Sequence, residues 1–220
     1  MTREEWKKAR QNGIGASEAA CILGLNPWKS NVQLWEEKVG IATPPDLDGK
    51  PVVEYGKAAE AHLRELFALD HPQYNVYYDE FGLVANIPEY PWLFATLDGE
   101  LDELYDCEKQ HRHLVVRKGV LEIKTTEIQR AGDWKKWDNQ IPDYYYVQVL
   151  HQLLATWYDF AILKAQIKWH KDGEMQLTTR HYRIERALVL EDMEHLLKEE
   201  IKFWECVTSK TRPPLILPDI

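Results

Sequence analysis

Cysteine is scarce in this chain of 220 residues: Cys21, Cys107 and Cys206 stand far apart, form no C-x-x-C pair and leave an odd number. That pattern excludes a disulfide framework, offers no zinc-ligand spacing and implies a reducing, intracellular setting. Long apolar runs are missing as well. Met1 to Arg10 is charged and holds no stretch long enough for a signal peptide or a membrane span. There are no repeats and no low-complexity tract. Basic excess is also lacking: a net charge of −9 counts against a nucleic-acid binder taken over the whole surface, although binding needs only a local basic lining. The acidic residues cluster at Asp46 with Asp48, at Asp102 to Asp106 and at Glu191 to Glu200, which read as solvated faces.

Apolar residues are plentiful. At 45% hydrophobic, with nine Trp and eleven Tyr, the chain can bury a substantial core in one domain spanning 1–220. Helices are predicted over 3–10, 16–23 and 31–39, the last with Ser30 and Gln33 as a capping box and Gly40 as its end. A Pro-rich connector, 43–51, leads to a helix over 54–69. Strands follow near 74–78, 82–86, 92–97, 100–104 and 114–125, then a helix over 142–157. Two more strands, 160–169 and 175–184, are joined by the hairpin turn Lys171-Asp172-Gly173-Glu174. A final helix over 188–207 packs Leu190, Met193, Leu197 and Trp204 inward. The order gives an α/β (α+β) fold, a central mixed sheet flanked by helices, with N-terminal helices 1–50 packed on a core of 51–220.

Three short strings carry chemistry. In Leu121-Glu122-Ile123-Lys124, strand alternation puts Glu122 and Lys124 on one face with Val120, and Leu121 and Ile123 on the other. A carboxylate and an ammonium in such a run cost free energy to desolvate unless they meet a partner, a cation or water. Asp98 ends the strand 92–97, with Gly99 as a turn residue; if that strand neighbours the next, Asp98 and Glu122 converge. Glu60 shares a helix face with Gly56, Leu63 and Phe67, and Gly56 leaves room for close approach of a backbone or ligand. Taken singly, each string also reads as a solvated edge strand, a turn or a helix-rim residue. Their order, with Asp98 and Glu122 separated by 24 positions and the helix glutamate upstream, favours a joint site.

At these residues the chain resembles the PD-(D/E)xK nuclease superfamily, with its restriction-endonuclease-like core, and within it the lambda-exonuclease-like, YqaJ-type viral recombinase family. Gly13-Ile14-Gly15-Ala16-Ser17-Glu18-Ala19-Ala20, Leu23-Gly24-Leu25-Asn26-Pro27-Trp28-Lys29-Ser30 with Leu34-Trp35, and Tyr145-Tyr146-Val147-Gln148-Val149-Leu150-His151-Gln152 extend the likeness. It departs where Leu97 precedes Asp98 in place of the superfamily's proline. The resemblance implies that Asp98 and Glu122, with the Ile123 carbonyl, hold one magnesium ion, that Asp98 and Glu60 hold a second, and that Lys124 orients or deprotonates the attacking water. Manganese would substitute. It further implies a 5′ to 3′ exonuclease that digests one strand of linear duplex DNA to leave 3′ overhangs for recombination. A homotrimeric ring, a single-strand-annealing partner and a phage or prophage protein in a bacterial cytoplasm are implied likewise. An endonuclease of restriction or junction-resolving type and a non-catalytic DNA-end-binding module remain alternatives.

Arg10, Ser17, Thr96 and Gln148 match in position the family's pocket for a terminal 5′ phosphate. Ser17 sits where a helix begins after Gly13 and Gly15, which favours an anion, and Arg10 can add a forked contact; a plain N-cap and a helix-end cation are the alternative readings. Tyr144, Gln148, His151 and Gln152 make a polar stripe on one helix face. Between the E-x-K strand and that helix, Arg130, Trp134, Lys135, Lys136 and Trp137 suit a DNA strand or a subunit contact, or the tryptophans anchor the loop to the core. His62, His111, His113, His151, His170 and His181 show no metal-ligand spacing and read as surface or structural residues.

Overall fold

The computed structural model describes residues 2–47, 49–106 and 114–217. Asp48, Cys107, His111 and His113 therefore lie outside the described residues, as does the side chain of Asp106. Along the chain run α1 (Arg3–Gln11), β1 (Ile14–Gly15), α2 (Ala16–Ile22), α3 (Asn31–Lys38), α4 (Pro51–Asp70), β2 (Tyr74–Tyr77), β3 (Leu93–Phe94) and β4 (Gly99–Asp106). They are followed by β5 (Leu114–Ile128), a 3-10 turn (Ala131–Trp137), α5 (Asp143–Thr156), β6 (Phe160–Lys171), β7 (Glu174–Glu185) and α6 (Leu190–Thr208). Ser30 and Gln33 cap α3 reciprocally, as their spacing predicts. Helix α4 starts at Pro51, whose fixed φ suits a first turn, so the connector ends sooner than the sequence suggested.

Five strands form a mixed sheet in the order β2-β4-β5-β6-β7, parallel only between β5 and β6, where α5 makes the crossover. The β6–β7 hairpin closes through Asp172 (φ 52°) and Gly173 (φ 83°), a left-handed pair that fits a two-residue turn. Both faces of the sheet are covered. Leu63 and Phe67 of α4 pack on Leu101, Leu121, Ile123 and Phe160. On the opposite face, Val149, Leu150 and Leu153 of α5 pack on Val120, Leu163 and Ala165, with α2 and α6 behind them. Burying each of the larger side chains contributes about 1.5–3 kcal/mol. Among the described residues, no helix is long and apolar enough to cross a membrane.

The structure corrects several expectations. The segment 92–97 is a strand only at Leu93–Phe94, paired in parallel with Ile14–Gly15 outside the main sheet, and 82–86 contributes one isolated bridge, Val84 to Ala95. Gly99 is not a turn residue; it opens β4 opposite Leu121. The buried stripe of α6 is Met193, Leu196, Glu200, Phe203 and Val207, while Leu190 is half exposed. Glu200 therefore departs from the solvated acidic run: it is fully buried and hydrogen-bonds His151 Nδ1 at 2.6 Å. His151 Nε2 meets the Phe94 carbonyl at 2.9 Å, so this one side chain ties α5 to both α6 and β3.

Two predictions come from these contacts. Burial opposes the charged imidazolium of His151, but the Glu200 carboxylate and the Phe94 carbonyl outweigh it and raise the His151 pKa. A raised histidine pKa contributes stability that is complete below the ordinary value of about 6.5 and is lost as pH rises through the raised one. In denaturant titrations, the advantage of the native chain over His151→Gln should shrink as pH rises; an advantage that grows with pH would contradict the ion pair. A Cβ on Gly13 would sit 2.2 Å from the Trp92 carbonyl oxygen, which the β1–β3 pairing fixes. Gly13→Ala should cost about 1–3 kcal/mol, read as a lowered denaturation midpoint.

Candidate active site

Asp98 reaches the E-x-K strand through β4, not through the segment before it. Because Gly99 pairs with Leu121, the residue before Gly99 falls beside Glu122 and Ile123, and Asp98 Oδ2 accepts the Ile123 backbone N–H at 2.8 Å. Pairing with β4 ends at that point. N–H and C=O of one strand residue point to the same side, so the Ile123 carbonyl faces the side on which Asp98 lies.

Glu122 is 2% exposed and looks toward α5. Its Oε1 accepts from Gln148 Nε2 at 2.6 Å and pairs with Lys124 Nζ at 2.5 Å, while its Oε2 accepts from Gln152 Nε2 at 2.5 Å. Charge-assisted bonds of this kind offset the desolvation of a buried carboxylate. Gln148 and Gln152 are one helical turn apart on α5, which brings both amides to one carboxylate. Gln152 was legible only as part of a polar helix stripe; its amide spacing from Gln148 was the signal for a role at Glu122. Its Oε1 is buried without a hydrogen-bond partner among the described residues.

The electrostatics follow from crowding. Burial pushes the Asp98 carboxyl well above the usual carboxylate range, the neighbouring Glu122 raises it further, and Lys124 and the Ile123 N–H only partly counter this. Burial works against the charge on Lys124, but Glu122 and Asp98 prevail and raise its pKa, so the amine stays an ammonium at neutral pH. The Lys124 ammonium also lies 5.1 Å from the centre of the Tyr145 ring.

Glu60 faces the same cleft but is turned toward Arg64, whose Nη1 lies 3.1 Å from Glu60 Oε1 and 2.7 Å from the Asp98 carbonyl. Arg64 was not singled out from sequence, although its place four residues after Glu60 on a helix is the spacing of a paired charge. Among the described residues, no three His, Cys, Asp or Glu side chains are arranged to hold a metal ion. Gly56 does allow close approach, since a Cβ there would lie 3.4 Å from Thr125 Oγ1.

The second set of residues lines the same cleft, a cavity of about 280 Å³ shared by Arg10, Ser17, Thr96 and Gln148 with Glu60, Asp98, Glu122 and Lys124. Arg10 Nη2 donates to Ser17 Oγ at 3.3 Å and stacks over Trp6 at 4.7 Å; Trp6 Nε1 donates to Thr96 Oγ1 at 3.1 Å. The Glu18 carboxylate reaches back to the Gly15 N–H at 2.9 Å and pairs with Lys38 at 2.7 Å, which holds the start of α2 in place.

The loop residues do not join the cleft lining. Trp137 is 3% exposed, packed against Tyr145 and Tyr182, and leaves no face for a base, so it anchors the turn to the core. Trp134 packs edge-on against Trp169. Arg130, Lys135 and Lys136 are exposed. His62 is exposed, and His151 is structural.

Comparison with known proteins gives the family. The model of the YqaJ-like viral recombinase domain matches residues 5–159. The uncharacterized protein YqaJ of Bacillus subtilis is 31% identical over 206 residues, a match covering 93% of this chain and 56% of that protein, so the chain spans about half the length of this curated relative. In fold, the chain is similar to an alkaline exonuclease from Laribacter hongkongensis, also solved in complex with dAMP, at 17% identity and a TM-score of 0.62 over 94% of this chain and 93% of that one. A phage-related exonuclease from Haemophilus somnus is similar at 11% identity and a TM-score of 0.53, over 90% of this chain and 96% of that one. The extent of the family match and the identity to the curated relative establish that this chain belongs to the YqaJ-like viral recombinase domain family.

Proposed function

We propose that the chain is a metal-dependent deoxyribonuclease that digests one strand of linear duplex DNA from a 5′-phosphorylated end, leaving 3′ overhangs for recombination. The observation that carries this reading is the single cleft in which two repelling carboxylates, Asp98 and Glu122, stand beside the Lys124 ammonium and opposite the Arg10–Ser17 pair. The exonuclease names of the fold neighbours agree with it.

Hard carboxylate oxygens that repel one another suit a hard divalent cation, magnesium or manganese. When bound, the ion supplies Lewis acidity and a more acidic water. Asp98 and Glu122, with the Ile123 carbonyl, would hold it; Glu60 would join for a second ion by leaving Arg64. Lys124 orients or deprotonates the attacking water and steadies the negative charge that develops on the phosphoryl oxygens. Arg10, Ser17, Thr96 and Gln148 would receive the terminal phosphate, and Arg130, Lys135 and Lys136 offer further phosphate contacts. A ring of subunits enclosing DNA, working with a single-strand-annealing protein, would reconcile processive digestion with a net charge of −9.

The test uses linear duplexes with 5′ phosphate or 5′ hydroxyl, each strand labelled, and closed circles, with magnesium or with chelator. Loss of the 5′-phosphorylated strand only with metal, and intact circles, is the expected result; cut circles would indicate an endonuclease, and no digestion would remove the enzyme reading. Lys124→Ala should lower turnover by at least about a hundredfold while sparing metal binding measured calorimetrically. Asp98→Asn removes the like-charge repulsion. In chelator at neutral pH it should therefore stabilise the chain by about 1 kcal/mol or more, read in thermal unfolding, while weakening metal binding.

A further inference from the structure

A second, larger cavity of about 1180 Å³ begins where the catalytic cleft ends. Trp6, Arg10 and Ser17 line both spaces, whereas Glu60, Asp98, Glu122 and Lys124 line only the first. The groove therefore starts at the residues assigned to the terminal phosphate and leads away from the carboxylates.

The groove differs in charge from the rest of the molecule. Lys7, Arg10, Lys29, Lys38 and Lys50 line it against Glu18 and Glu37, on a chain of net charge −9. The two carboxylates are already met, Glu37 by Lys29 at 2.6 Å and Glu18 by Lys38 at 2.7 Å, so the surplus is cationic. Among the described residues, Lys7 pairs only with Glu4, in an exposed contact at 3.7 Å. Trp28 stands in the groove with 72% of its surface exposed, held by a T-shaped contact with Tyr144 at 5.1 Å. An exposed indole with cations spaced along a channel is the chemistry of single-strand binding, in which bases stack and phosphates are paired.

We propose that this groove takes a single-stranded 5′ tail that runs past Arg10 and Ser17, so that the protein engages tailed duplex ends as well as flush ones. The proposal rests on the reading of Arg10 and Ser17 as phosphate contacts. Backbone phosphates of the tail meet Lys7 and Lys50, and a base stacks on Trp28.

The test is binding by the full chain in chelator, followed by fluorescence anisotropy, of three duplexes: flush, with a 5′ tail of about ten nucleotides, and with a 3′ tail of the same length. The 5′-tailed duplex should bind about tenfold more tightly than the other two and with a steeper salt dependence. Trp28→Ala and Lys50→Glu, both checked for folding by circular dichroism, should remove that gain and leave flush-end binding unchanged. Equal binding of all three duplexes, or a 5′-tail gain untouched by both variants, would overturn the proposal. So would an altered sedimentation of Trp28→Ala with tail binding intact, which would assign the groove to a protein contact. Digestion of the flush duplex with magnesium is read separately: its absence sinks the nuclease reading, while the binding result still decides the groove.

Discussion

A carboxylate at the centre of a helix-covered sheet is tolerated only if its oxygens are fully answered, and the arrangement around Glu122 meets that condition. Two amides from α5 and the ammonium two residues along β5 converge on it. An unpaired buried carboxylate would be driven to its neutral form. Much of the architecture serves this: α5 must lie across β5 at one height and one rotation, and the tie from His151 to Glu200 and Phe94 holds it there. Asp98, brought in by the first residue pair of β4, then adds a second carboxylate that these donors do not reach. Asp98 and Glu122 thus line one cleft, Glu122 with its charge answered and Asp98 with a carboxyl that burial and its neighbour hold toward the neutral form.

What was legible in the sequence is what depends on near neighbours. The faces of β5, the Ser30–Gln33 cap and the Asp172–Gly173 turn are set by spacings of two to four residues, and the structure reproduces them. Order along the chain also brought Asp98, Glu122 and Lys124 together correctly, though by another route: the approach runs through β4, because Leu93 and Phe94 leave the main sheet to pair with Ile14 and Gly15. Pairings between distant elements were not legible. Nothing local distinguishes Glu200 from the other acids of α6; its burial depends on an imidazole 49 positions away. For Trp137 the sequence left two readings open, a DNA or subunit contact and an anchor to the core, and the packing of Tyr145 and Tyr182 against it decides for the anchor.

Net charge misleads for a related reason. A sum over the chain weighs solvated glutamates equally with those already neutralised, such as Glu103, which Arg183 and Arg117 engage. What a polyanion meets is the local excess, and next to the cleft that excess is positive. Acidic faces elsewhere would repel a polyanion, so the local excess and the net charge have opposite signs.

Helix α5 fixes length as well as composition. Gln148, His151 and Gln152 must reach Glu122, Phe94, Glu200 and again Glu122 from one rigid rod. One residue inserted between Gln148 and His151 would turn everything beyond it by about 100° and advance it by about 1.5 Å, detaching the helix from α6 and stripping one donor from the carboxylate in the same step. The same insertion at the exposed Asp172–Gly173 tip would be absorbed by a longer turn, so relatives should vary in length there and keep α5 free of gaps.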